Sequence, residues 1–213
     1  MKRIIIQVVL IAVAIVFVYL IWDTIQTPIN FEKEKKIRYD DCVTRMKDIR
    51  EAELAYKGVY GKFSGDWDSL IAFVKYDSIP QVRKIGMLTD DMIAKGLDEK
   101  KALAKGLIIR DTIRVSVLDQ VFGKDYPIDE LKIIPHSGGQ VFWLGQAIVT
   151  TGSGVQVPVF EARAHNNQIL YELMGQYKQE IINLNEQRRK NERYPGLKVG
   201  SVDEPNNNAG NWE

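Results

Sequence analysis

The chain has 213 residues, with 29 Lys plus Arg against 28 Asp plus Glu, and a single cysteine, Cys42. That charge balance provides no electrostatic footprint for nucleic acid, and no dense basic run with aromatics appears. One thiol cannot close an intrachain disulfide, so disulfides do not staple the fold; only an intermolecular Cys42–Cys42 bond remains open.

Residues 4–22, IIIQVVLIAVAIVFVYLIW, are uncharged and contain one polar side chain, Gln7. A helix rises about 1.5 Å per residue, so this run nearly matches a hydrocarbon core of about 30 Å. It is apolar all round, unlike an amphipathic core helix. It is longer than a usual signal h-region, and no A-x-A-like site follows in WDTIQTPINF. It therefore reads as an uncleaved single-pass anchor, with Tyr19 and Trp22 placed for the lipid–water interface. The three-residue tail, with Lys2 and Arg3, is expected to stay in the cytoplasm. The expected location is the inner (cytoplasmic) membrane, with the body in the periplasm.

Thr27–Pro28 reads as an N-cap followed by proline at the first helical position. The spacing predicts a second helix over 28–57. Tyr39, Cys42, Met46, Ile49 and Tyr56 recur on it at three- and four-residue steps, and Glu53 interrupts this seam. Such a stripe can pack on the body or on a second copy as a short coiled coil. Gly58 is the predicted C-cap, and 58–66 a turn-rich link.

Asp66 is expected to cap a helix WDSLIAFVKY that buries Trp67, Leu70, Ile71 and Val74. A short strand is predicted over 81–88. Short helices follow, DDMIAKG capped by Thr89 and LDEKKALAKG, ended by Gly96 and Gly106. The β-branched content of 108–117 argues strand, and LKII a further short one. A β-hairpin is predicted over 140–151 and 154–163, turning at GSG. The alternation leaves open which of Val141 and Val159 faces inward. Pro158 implies either an edge strand or a non-bonded ladder position. Residues 167–178 read as a helix capped by Asn166 or Asn167, and 179–184 as helix or strand. YPGLKVGSV ends in a last strand. DEPNNNAGNWE has little to bury and reads as a mobile tail, with Trp212 free to dock on the body or a partner.

The fold class expected is α+β: a transmembrane helix, an amphipathic helical stalk, and a small domain with a mostly antiparallel sheet and short helices. The expected limits are 1–27 for the anchor, 28–57 for the stalk, 58–202 for the extracytoplasmic domain and 203–213 for the flexible tail.

The apolar anchor, long helix and AYKGVYGKF together resemble the N-terminal half of type II pseudopilins and type IV pilins. That resemblance is architectural, because KRIIIQVVL lacks the Gly of the prepilin-processing site and the Glu that follows it. IGMLTDD, RDTIRV, TGSGVQVPVFEA and the C-terminal ERYPGLKVGSVDEPNNNAGNWE resemble a family of single-pass envelope proteins of Bacteroidetes. This second resemblance implies an envelope location and no assigned reaction.

The residues that could carry chemistry are sparse. His136 and His165 have no i,i+4 partner and no cysteine companion, so they read as ordinary loop histidines rather than zinc ligands. Asp40–Asp41 and Asp90–Asp91 are helix neighbours that do not face one site. GSG at 152–154 is a turn, and G-x-S-x-G, G-x-x-x-x-G-K-[ST] and S-x-x-K are missing. No cofactor is expected, and no catalytic or metal residue is assigned. The expected function is a non-catalytic, membrane-anchored structural or interaction subunit of an envelope assembly. Its partners would be the lipid bilayer, proteins of that assembly, and a second copy. Candidate interaction residues are Tyr39, Cys42, Met46, Ile49, Tyr56 and Trp212. A pseudopilin-like component and an enzyme with a dispersed site are the competing classes.

Overall fold

A computed structural model describes residues 2–87, 98–105 and 107–213. The fold is α+β, a long apolar N-terminal helix followed by short helices and small antiparallel sheets. Helix α1 (Lys2–Tyr60) is followed by α2 (Trp67–Tyr76), β1 (Ser78–Ile85), α3 (Glu99–Ala104), β2 (Ile109–Ser116) and α4 (Val117–Val121). Then come a 3-10 turn (Ile128–Glu130), β3 (Trp143–Thr150), β4 (Gln156–His165), α5 (Asn166–Ile169), a 3-10 turn (Tyr171–Leu173), α6 (Lys178–Lys190) and β5 (Gly196–Gly200). The helix expected over DDMIAKG lies outside the described residues.

Anchor and stalk are one helix rather than two. Pro28 sits inside α1 and Thr27 does not cap; its hydroxyl lies 3.4 Å from Asp23 Oδ1. Proline removes the bond to the carbonyl four residues back and crowds that carbonyl, which weakens or kinks a helix without having to end it. That carbonyl belongs to Thr24, which is exposed, so solvent can take it. One lost bond does not end a helix whose continuation is buried in the body from Phe31 onward.

The chain divides into two compact units, Met1–Arg50 with Lys132–Glu213, and Glu51–Leu131. The boundary expected at residue 58 does not coincide with this division.

In the second unit, Asp66 caps α2 by accepting from Ser69 N, and Leu70, Ile71, Phe73 and Val74 are buried. Trp67, expected in that face, is only half-buried. β1 and β2 form a two-stranded antiparallel sheet with Ser78 opposite Ser116 and Ile85 opposite Ile109. Asp98 caps α3 by accepting from Lys101 N.

In the first unit the sheet order is β3-β4-β5, antiparallel throughout. The predicted hairpin is its core. Trp143 faces Arg163 and Thr150 faces Gln156 across β3 and β4, while Glu161 faces Gly200 and His165 faces Gly196 across β4 and β5. Pro158 lies on the central strand, the second of the two positions expected for it. It pairs with Ile148, and β5 reaches only Glu161–His165, so no partner needs its missing N–H. Phe160, Ala162, Ala164, Leu197 and Val199 are buried. Gly200 closes β5 at φ +72, and a Cβ there would fall 2.1 Å from the Phe160 carbonyl oxygen, so no other residue fits.

The expected LKII strand is reduced to an isolated bridge, Ile133 to Val141. The helix expected over 167–178 is only the short α5 and a 3-10 turn. Its cap is His165, whose Nδ1 accepts from Asn167 N while Gln168 Oε1 accepts from His165 N. Asn166 is used elsewhere, as described below. The undecided 179–184 is helical, within α6. Residues 203–213, expected as a mobile tail, fold back along β5. Gly200 N donates to Ala209 O and Asn211 N to Lys198 O, both 3.0 Å, and Asn211 Oδ1 accepts from Lys198 N at 3.1 Å. Polar composition hid this because the segment is held by backbone pairing, with only Gly210 buried among its residues.

Burial decides between the two hairpin valines. Val159 is 5% exposed and Val141 42%. Val159→Asp should therefore lower stability by about 3 kcal/mol or more, while Val141→Asp stays within about 1 kcal/mol. Urea unfolding of the full-length chain in detergent checks this, and equal midpoints for the two variants would reject the hairpin as core.

Candidate interaction site

Phe31 is buried and its ring lies 5.5 Å from that of Tyr177. Tyr39 is half-buried, and its hydroxyl donates to Asn166 Oδ1. Asn166 Nδ2 donates to Asn185 Oδ1, and Asn185 Nδ2 to Asn167 Oδ1, each at 2.8 Å. Asn166 is fully buried and Asn185 nearly so. The chain of amides thus ties α1, α5 and α6 together with its polar atoms paired, as burial demands. Burial pushes the Tyr39 phenol up to about 12.

Cys42, Met46 and Ile49 are each fully buried. Burial also pushes the Cys42 thiol up to about 12, so it is no thiolate at neutral pH. These three residues are covered by the chain itself and cannot meet a second copy without unfolding. Of the two alternatives left open by the periodicity, packing on the body or on a second copy, Cys42, Met46 and Ile49 take the first. Tyr56 lies in the second unit, its ring 4.6 Å from Tyr60 and 5.1 Å from Phe73. Trp212 is half-buried, its indole ring against Gly210 and its Nε1 without a partner among the described residues. The six residues therefore do not form one site.

His136, at φ +58, lies with Nε2 2.8 Å from Asp41 Oδ2 and Nδ1 3.5 Å from Glu172 Oε2. Arg38 joins Glu34 at 2.7 Å and Glu172 at 3.4 Å. This polar clasp fixes α1 against the 132–213 segment, and the separation of its partners in sequence hid it.

Two features of this unit escaped sequence reasoning. One is a cleft of about 430 Å³ at the end of α6, lined by Arg188, Arg193 and Lys198 with Glu192 and Glu213. Glu213 is held by Arg50 at 2.7 Å, and Lys198 lies 3.7 Å from the buried Glu161. The other is the outer edge of β3. Trp143 heads that strand, and the Arg163 guanidinium lies 3.9 Å from its ring centroid. Gly145 leaves room for the indole, because a Cβ there would come 2.5 Å from its ring.

Contacts along α1 orient these features. Phe31 meets Tyr177, Tyr39 meets Asn166, and Arg50 meets Asn208 and Glu213. Gly196 pairs beside Asn166, and Gly200 bonds to Ala209. β5 therefore runs along α1 in the same direction, β4 runs toward the apolar segment, and β3 away from it. Arg50 lies 28 residues beyond Trp22, about 42 Å along the helix.

The chain is thus an α+β protein whose first helix is long and apolar enough to cross a membrane, with none of its most apolar window buried. No protein-family model, curated protein or solved structure matches it.

Proposed function

We propose that the chain is a non-catalytic, membrane-anchored interaction subunit of a cell-envelope assembly, its N-terminus in the cytoplasm and its body in the periplasm. The observation that carries this reading is the continuity of α1. The exposed apolar segment passes without a break into residues that are buried in the body, beginning with Phe31. Phe31 lies nine residues beyond Trp22, about 14 Å, so the body would start close to the headgroups. A rigid helix rather than a flexible linker would hold it there. The polar clusters described above join elements to one another, which supports a role in holding and presenting surfaces.

A reporter fused after Glu213 tests the topology. Alkaline phosphatase should be active there and a cytoplasm-dependent fluorescent protein dark. The opposite pair of results would place the body in the cytoplasm. A pseudopilin-like component is the second reading, favoured by one observation: a long helix whose first half is exposed and whose later part is buried in a unit with an antiparallel sheet. The missing processing Gly and Glu in KRIIIQVVL stand against it.

A further inference from the structure

We infer that the outer edge of β3 is a docking site for an extended segment of a partner protein, which adds a strand antiparallel to β3. The inference rests on the reading of the chain as an anchored interaction subunit. β3 ends the sheet order, and its sequence WLGQAIVT contains no charge and no proline. Edge strands are ordinarily protected by lysine, proline, a bulge or a covering loop. Here the β3–β4 register is unbroken over all eight residues, so no bulge interrupts it.

Ladder parity identifies the groups that face outward. Thr151 N donates to Val155 O at 2.9 Å, which makes that pair hydrogen-bonded. Antiparallel pairs alternate, so Thr150, Ile148, Gln146 and Leu144 belong to non-bonded pairs and direct their N–H and C=O groups away from β4. Pro158 opposite Ile148 obeys the same parity. Among the described residues no hydrogen-bond partner meets those eight groups. On the face that carries Leu144, Gln146, Ile148 and Thr150, Ile148 is 69% exposed and Leu144 half-buried, so side chains of an added strand have apolar surface beside them.

Direction and charge select the occupant. β3 runs away from the apolar segment. A second copy anchored in the same membrane presents its own β3 in that same direction, and cannot supply the antiparallel mate. The occupant is therefore a segment of another protein that runs toward the membrane. Its C-terminal end meets Trp143, where the Arg163 guanidinium lies over the ring. That guanidinium also donates to Glu161 Oε1 at 3.2 Å, and Lys198 lies 3.7 Å from the same carboxylate, so two cations share one anion there. An acidic residue at the end of the occupant complements the remaining charge, and alternating β-branched residues fit the edge.

The test uses full-length protein in nanodiscs and a defined probe, an octapeptide of alternating Val and Thr closed by a C-terminal Glu. Amide hydrogen exchange is read by NMR. Saturating peptide should slow exchange at Leu144, Gln146, Ile148 and Thr150 at least tenfold, leaving Gly145, Ala147 and Val149 as they were. Ile148→Pro and Gln146→Pro remove outward N–H groups only, so both should keep the melting curve and abolish that protection. Ala147→Pro breaks the β4 ladder and should lower the melting temperature, which confirms the parity. A peptide ending in Lys should bind at least threefold more weakly. Unchanged exchange at the four outward amides, equal binding by both proline variants, or protection of those amides by dimerisation of the protein alone would overturn the proposal. Nanodisc incorporation is scored separately, so loss of peptide binding in an incorporated chain leaves the anchored reading standing.

Discussion

Full-length protein should lose stability steadily as pH rises from about 4.5 to about 8, and Glu53→Gln should remove most of that loss. Glu53 is fully buried in the second unit. Its Oε2 accepts from Ser64 N at 2.8 Å, and its Oε1 has no partner among the described residues. Burial pushes the carboxyl up to about 8 from an ordinary 4.5, with the Ser64 N–H opposing only in part. Between these values the folded chain holds a proton that the unfolded chain has released, so unfolding becomes easier with each pH unit. Below the lower value both states are protonated and the penalty vanishes. Above the upper one it is complete, at about 5 kcal/mol. Gln keeps an acceptor for Ser64 N and cannot ionise. The variant should match the parent near pH 4 and melt well above it at pH 8.5. Parallel melting curves at both pH values would show that the carboxyl is hydrated in solution.

Met46→Asp and Ile49→Asp should unfold the body rather than dissociate a dimer. Both positions are fully buried, and an unpaired carboxylate there costs about 4 kcal/mol or more. Mild oxidation of membranes should give no Cys42-linked dimer, because the thiol is buried and held protonated. Circular dichroism and non-reducing electrophoresis read the two effects. A disulfide dimer abolished by Cys42→Ser, with both Asp variants still folded, would restore the stripe as a seam between copies.

Local signals were legible in the sequence where they sufficed to define an element. Asp66 and the apolar spacing behind it marked α2, and β-branched runs around GSG marked the β3–β4 hairpin. Pro28 misled, because a proline in an exposed stretch of helix sacrifices one hydrogen bond that water replaces. The stripe on α1 was visible, but its partner was not. Periodicity says that a face is apolar, and only the tertiary fold says what covers it. Asn166 looked like a cap, yet the buried amide chain from Tyr39 to Asn185 claims its side chain and leaves the cap to His165. The tail of Asn, Gly and Pro lacks local preference and is held by β5. Strand order is likewise non-local, so the free edge of β3 could not be read from WLGQAIVT alone.

Everything proposed about docking depends on residues 4–22 holding the mature chain in a bilayer. Alkaline carbonate extraction of native membranes, followed by intact mass of the protein in each fraction, tests this most directly. The account predicts that the protein in the pellet retains residues 4–22, with Lys2 and Arg3 still attached. A chain in the supernatant, or one shortened at or beyond the apolar segment, would contradict it.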